Sequence, residues 1–565
     1  MQQDSAWDHE YDVVVVGTGA AGMTAALTSA FSGLSVLVIE KSRYFGGSTA
    51  RSGGGVWVPN NHVLEREGVP DSPELARTYL KEVVGDRVPQ ERQDAFLEHG
   101  PPMLAMLGDR TEHMRFLYDR GYADYYPEKP GGIAQGRTIE SLPIDGRQLG
   151  SDLRLLNPPT LAMPKGMAFT ATQFNRLNMV MRTREGKRTA LQVGIETARN
   201  IAKKARPLTM GQALVARLWL SLRDAGVPVW LRAPLRDLVI EGGAGDGSVT
   251  GVRAERDGEP VAIRARRGVV LAAGGFDHNL EMRRQYMDAP WSTDWTVGSP
   301  GNTGDAIRAG QQAGAATDLM DDAWWGPSVR TPNGAPFFCV AERSQPGSLM
   351  VNHAGERFAN EAACYVDICH AMYERHTEQA PHIPAYFIMD QRFRNRYMFL
   401  GLYPRQQIPR KYFDAGIITR ADSIEGLASK LGVPADNLRA TTERFNQMAR
   451  AGTDEDFGRG ESAYDRYYGD PTVEPNPCLA PVDRPPFYAV EMVPGDLGTK
   501  GGLVTDEHAH VLSEGGAVIE GLYSCGNNSA AVMGNSYAGA GATIGPAMVF
   551  GYIAANDMAD RQPTR

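Results

Sequence analysis

Residues 17–22 read Gly17-Thr18-Gly19-Ala20-Ala21-Gly22, and their setting narrows the possible folds more than any other stretch. Residues 11–16, YDVVVV, form a short β-branched apolar run that reads as a buried parallel strand. A helix-like stretch, MTAALTSAFSG, follows the glycines, and a second buried strand, residues 34–39 (LSVLVI), ends in Glu40. A G-x-G-x-x-G between strand and helix, with an acid about 20 residues on, marks a dinucleotide-binding βαβ unit. Gly17, Gly19 and Gly22 allow the turn and close approach to a pyrophosphate. Ala20 and Ala21 open a helix whose N–H groups and dipole favour its charge, and Glu40 can accept from a ribose 2′-OH. The expected class is therefore α/β with a Rossmann-like core.

A second glycine-rich loop, FGGSTARSGGG at 45–55, follows Lys41 closely. An NAD site does not need it. FAD does, because its ribityl chain and flat ring must pass along open backbone. Lys41, Gly47, Ser48, Thr49, Ser52, Gly53 and Gly54 are thus expected contacts of FAD. Two strand-like segments ending in glycine, GVVLAAGGF (268–276) and GLYSCGN (521–527), read as returns of the chain to the same sheet. They bring Ala273, Gly274, Gly526 and Asn527 to the cofactor, and Leu235 is expected beside them.

A chain of 565 residues suggests two to four domains. The organisation expected is an FAD-binding domain (1–283) interrupted by an α+β catalytic domain (284–486), with a return to the first domain at 487–565. The Pro-rich stretch 471–487 fits a boundary. A net charge of -9 argues against nucleic-acid partners. The five cysteines are odd in number and form no C-x-x-C pair, so reduced thiols, a cytoplasmic location and no metal site are expected. The polar, acidic start does not read as a signal peptide, and no apolar run is long enough for a spanning helix.

Near the C-terminus, Tyr537 sits among glycines just before an apolar helix-like run starting near Thr543 and Ile544. Together with GNTGDA (301–306), VNHAGERFANEA (351–362), DLGTKGGLVTD (496–506) and the FAD motifs, this order of segments resembles the fumarate-reductase-type flavoproteins. Within them it resembles the 3-ketosteroid Δ1-dehydrogenases over residues 11–557. The specific marks are Tyr365 in NEAACYVD, Tyr125 in YADYYPE, and Tyr537-Ala538-Gly539-Ala540-Gly541. Many members carry proline where Ala538 and Ala540 stand.

The resemblance implies a 3-ketosteroid substrate, with C1–C2 desaturation and an external, quinone-like or artificial electron acceptor. It implies that Tyr537 and the Gly541 N–H polarise the C3 ketone. Tyr365 takes the C2 proton with help from Tyr125, and hydride passes from C1 to flavin N5. Thr543 and Ile544 would face the flavin from a helix start. Residues 41–60 hold no histidine, where some relatives attach the flavin, so FAD is expected to be non-covalent. Trp324, Trp325, Phe337 and Phe338 are candidates for an apolar slot, and Tyr126 reads as packing.

Three other readings stay open. A C4–C5 desaturase is expected to carry a hydroxyl where Gly539 stands. A dicarboxylate enzyme needs cationic clamps, for which Arg343 and Arg357 are available. A flavin-binding sensor would leave the tyrosine set unexplained. Finally, residues 174–206 carry nine Lys/Arg against two Glu, interleaved with apolar residues. That pattern suits peripheral contact with the inner face of the cell membrane, a solvated helical excursion or an oligomer contact.

Overall fold

The computed structural model describes residues 7–160, 163–242 and 247–561. Strand His9–Val16 lies at the centre of an eight-stranded sheet, with Glu259–Leu271 on one side and Val36–Glu40 on the other, both parallel. Val229–Leu231 extends the sheet beyond Val36–Glu40, and Val518–Ser524 extends it beyond Glu259–Leu271. Val13 and Val15 belong to one hydrophobic cluster, Val14 and Val16 to another. The unbroken valine run thus reflects a strand buried on both faces. Helix Ala20–Phe31 packs against the C-terminal helix Ile544–Asp560. A Cβ on Gly551 would lie 2.6 Å from the Ala21 carbonyl oxygen, so the two helices meet backbone to backbone.

A second, antiparallel sheet runs Pro336–Phe338, Ala323–Arg330, Phe487–Thr499, Ala385–Asp390, Ser348–Val351, with Ile418–Ala421 also on Phe487–Thr499. Because Phe487–Thr499 pairs within this sheet, we draw the return of the chain after Thr499 rather than at residue 487. A small three-stranded sheet, Gly55–Trp57, Thr138–Ser141 and Phe116–Tyr118, follows the second glycine loop. Among the described residues, no helix is long and apolar enough to cross a membrane.

Candidate active site

One cavity of about 1320 Å³ runs from the first glycine turn to a cluster of phenols. It exceeds the roughly 300–1,000 Å³ of a site for one drug-sized ligand. Gly17, Gly19, Ala20, Ala21, Glu40 and Lys41 line one end. Gly47, Ser48, Thr49, Ser52, Gly53 and Gly54 line its side, and Leu235, Ala273, Gly274, Gly526, Asn527, Thr543 and Ile544 complete the wall. Gly22 does not face the cavity. A Cβ there would lie 2.1 Å from the Gly17 oxygen, so its bareness seats the helix on the turn.

The cradle fits a dinucleotide. At Gly19 the nearest atom to a Cβ would be 3.8 Å away, and at Gly53 none lies within 4 Å, so bare backbone borders the cavity. Gly17 needs its φ of +111°, and a Cβ would strike Ala272 oxygen at 2.4 Å. The Glu40 carboxylate is oriented by the Thr18 N–H (3.1 Å) and hydroxyl (2.7 Å) and by the Ser42 N–H (2.9 Å). Lys41 donates to Thr303 (2.6 Å) and pairs with Asp305, which ties the 301–306 loop to this end. The Ser48 hydroxyl accepts from Ser299 N and Asn302 Nδ2, each at 2.9 Å, and holds the second glycine loop.

At the other end three distant segments bring their tyrosines together. Tyr365 opens helix Tyr365–Glu374, and its hydroxyl lies 2.9 Å from that of Tyr125. The Tyr125 segment is fixed from below. Its N–H donates to the Ala538 oxygen (3.0 Å), while buried Asp124 accepts from Trp57 Nε1 (2.9 Å) and pairs with buried Arg137. The Tyr537 ring stands 5.1 Å from Tyr125 and 5.6 Å from Tyr365, edge to face. Its hydroxyl lies 2.8 Å from Thr543 Oγ1. Gly541 has φ +92°, and a Cβ there would lie 2.3 Å from the Gly55 carbonyl. A Cβ on Gly539 would lie 2.5 Å from Trp57 Cδ1. These glycines therefore serve close packing on strand Gly55–Trp57 as well as access for a ligand.

Burial pushes the phenols of Tyr365 and Tyr125 well above the usual range, and the hydrogen bond from Tyr125 works against this at Tyr365. Burial also raises Tyr537, while Thr543 and the Gly541 N–H oppose it.

The structure adds residues that the sequence does not single out. Tyr468 donates to Tyr122 (2.8 Å), and Tyr122 lies 3.4 Å from Tyr125, so a phenol chain leads away from Tyr365. Tyr464 packs 4.6 Å from Tyr125, ring to ring. Of the four candidate slot aromatics, only Phe338 lines the cavity. Trp324 instead supports Tyr537 at 4.8 Å and donates to Asn527 (3.2 Å), and Trp325 packs on Tyr373. Tyr126 is half-buried and donates to Asp367 (2.9 Å).

A glycine-lined dinucleotide groove opening onto buried phenols defines a flavin-dependent oxidoreductase. The profile of the FAD binding domain family matches residues 12–544. The 3-oxosteroid 1-dehydrogenase of Mycolicibacterium smegmatis is 51% identical over 559 residues, covering 97% of each chain. That of Mycobacterium tuberculosis is 51% identical over 561 residues, covering 98% of this chain and 99% of the relative. The structure of 3-ketosteroid Δ1-dehydrogenase from Sterolibacterium denitrificans, in complex with 1,4-androstadiene-3,17-dione, superposes with a TM-score of 0.91 at 42% identity, covering 98% and 99% of the two chains. The chain belongs to the FAD-dependent 3-oxosteroid 1-dehydrogenase family.

Proposed function

We propose that this protein desaturates 3-ketosteroids between C1 and C2, with Tyr365 as base, Tyr125 as its hydrogen-bond partner, and Tyr537 and the Gly541 N–H as donors to the C3 oxygen. The observation that carries the reading is the 2.9 Å contact between Tyr125 and Tyr365 in the same cavity as the dinucleotide cradle. A C2–H is a weak acid, and charge builds on the carbonyl oxygen as its proton leaves. Donors aimed at that oxygen stabilise the charge in a water-poor site. Tyr537 and Gly541 belong to one short loop, and both face the cavity. Tyr365 packs edge to face on Tyr537 at 5.6 Å and lines the same cavity, which supports its reading as the base. When bound, FAD supplies the acceptor for the hydride that leaves C1. Two electrons leave with it, so turnover needs an external acceptor, for which we propose a quinone-like compound or an artificial dye.

The competing readings fit less well. A hydroxyl side chain at 539 would overlap Trp57, which disfavours a C4–C5 site of the expected kind. Arg343 and Arg357 do not line the cavity, and Arg357 is occupied by Glu361 and Asp454, each at 2.8 Å. The test is anaerobic mixing of the yellow protein with androst-4-ene-3,17-dione. Flavin bleaching with a 1,4-diene-3-one product is expected. An unbleached flavin, or a 4,5-desaturated product from a saturated ketone, overturns the reading.

We also propose that the basic segment touches an anionic membrane on the inner face of the cell. Met181, Leu191, Ile195 and Ile201 are exposed among its cations, while Lys204 and Arg206 line the cavity. Met179 and Val193 are buried, and Arg182 is held by Asp470 (2.8 Å), so part of the segment is anchored to the protein. The five cysteines are free and buried, which fits a reducing compartment. The protein should sediment with anionic vesicles at low salt and be released as salt screens the contact. Equal sedimentation with neutral vesicles, or none, removes this part of the proposal.

A further inference from the structure

Arg343 is among the largest fully buried side chains, at 0% exposure. Taking a guanidinium out of water is costly, and buried charges are ordinarily paired. Buried Arg137, Arg283, Arg357 and Arg459 each meet a carboxylate. Among the described residues Arg343, like buried Arg92 and Arg394, does not, but it alone of these three stands over the Tyr365 ring. It donates to the carbonyl oxygens of Glu361 (2.7 Å) and Ala363, and to the hydroxyl of Tyr464 (3.2 Å). Its Nε finds no acceptor. Its guanidinium carbon stands 5.7 Å from the centre of the Tyr365 ring, over the ring. The neighbouring carboxyl of Glu342 forms no ion pair with it among the described residues, and burial pushes that group up to about 7.

The cation therefore faces phenols. Tyr464 lies 4.6 Å, ring to ring, from Tyr125, and Tyr125 touches Tyr365. Burial would lower the guanidinium, yet the net direction is upward, with Tyr464, Cys364 and Tyr365 as the partners that favour its charged form. A phenolate spreads its charge into the ring, so a cation over the ring favours the ionised form. The other titratable groups around Tyr365 are neutral acids that oppose its ionisation or share its proton: Tyr125, Tyr122, Tyr464 and Tyr537 from other segments, and Cys364 beside it. Asp367, on the same helix, turns to Tyr126, and Lys500 is spent on Asp322 at 3.0 Å.

We propose that Arg343 is a positioning residue for proton abstraction, its buried guanidinium supplying the countercharge that lets Tyr365 accept the C2 proton. The proposal rests on the reading of Tyr365 as base. The proton passes from C2 to the oxygen of ionised Tyr365, which becomes a neutral phenol. The C2–H electron pair becomes the C1–C2 π bond as hydride leaves C1 for bound FAD. Arg343 gives and takes no proton. The cavity does not include Arg343, so it acts through the ring and not on the steroid.

The experiment is the anaerobic rate of flavin reduction by a 3-ketosteroid across pH, in wild type, R343Q and R343K. R343Q should move the controlling pKa up by at least about one unit, which is about a tenfold loss of rate at neutral pH. Steroid affinity, read from the flavin spectrum, should stay close to wild type. R343K should keep a profile near wild type. A more acidic fluorinated tyrosine placed at 365 should restore R343Q. An FAD-loaded R343Q that binds steroid and keeps the wild-type profile overturns the proposal, as does an equal shift in R343K and R343Q. If R343Q does not load FAD, R343K decides: a near-wild-type profile supports the countercharge, and a profile moved up by a unit or more refutes it. A wild-type enzyme that the ketosteroid does not reduce instead removes the underlying reading.

Discussion

A phenol ionises near pH 10, so Tyr365 is a weak base at neutral pH unless its surroundings help. Phenylalanine at 365 keeps the ring and removes the proton acceptor. Tyr365→Phe is expected to slow flavin reduction by about 10²–10⁴-fold, the range for a lost general base. Tyr537→Phe should cost about 10²–10³-fold, as for one lost oxyanion donor. Both should leave FAD content unchanged, since neither hydroxyl holds the Rossmann turn. Stopped-flow reduction under argon reads both, and a Tyr365→Phe rate within a few-fold of wild type would remove the tyrosine from its role. Tyr125, Tyr365 and Tyr537, whose rings the structure brings together, were singled out in the sequence through short motifs that resemble the family's. Tyr122, Tyr464, Tyr468 and Arg343 were not. Tyr122 and Tyr468 meet across 346 residues, and no local pattern marks such a contact. Arg343 was noticed only as a potential carboxylate clamp, whereas its contacts are carbonyls and phenols.

At the level of elements, local geometry decides what the sequence reveals. The opening strand, turn and helix were readable because the fingerprint is a backbone requirement. The boundary at 487 was drawn from the Pro-rich stretch alone, and the sequence does not show that strand Phe487–Thr499 joins the second sheet, because its partners, Ala323–Arg330 and Ala385–Asp390, lie far away in the chain. The Tyr537 loop shows the same division. Its glycines were visible, but their reason, contact with strand Gly55–Trp57, was not. Trp57 N–H donates to the Gly541 oxygen (3.2 Å), and Thr138 Oγ1 donates to the Ala540 oxygen (2.8 Å). Gly541→Ala should therefore cost more than a methyl group suggests. The backbone strain alone is worth about 1–3 kcal/mol, and the Cβ must also displace Gly55 from 2.3 Å. We expect a lower melting temperature and slower turnover, because moving this loop moves both proposed donors to the C3 oxygen. Unchanged melting and turnover would mean that the loop yields freely and that its geometry is not what positions the ketone.

At the scale of the whole molecule, the catalytic end depends on the C-terminal helix Ile544–Asp560, which begins at the Tyr537 loop and must stay docked on the first sheet. Its far end is held by a charged cluster at the sheet edge. His510 lies between Asp506 (2.7 Å) and Asp557 (2.9 Å), Tyr523 donates to Asp557 (2.6 Å), and Arg561 bonds Asp557 (2.8 Å). Burial disfavours the imidazolium, but the two carboxylates outweigh it, and His510 is raised to about 9. A histidine raised above its unfolded value of about 6.5 stabilises the fold fully below that pH and loses its effect as pH rises through the folded value. The contribution should thus fade between about pH 6.5 and 9. His510→Gln should lower the melting temperature most near about pH 6, and the gap to wild type should close above about pH 9. Thermal melts of the FAD-loaded protein across that range read the gap directly. A gap that stays constant with pH would assign the cluster to neutral hydrogen bonding, and the helix would then be held by its apolar face against Ala20–Phe31 rather than by charge.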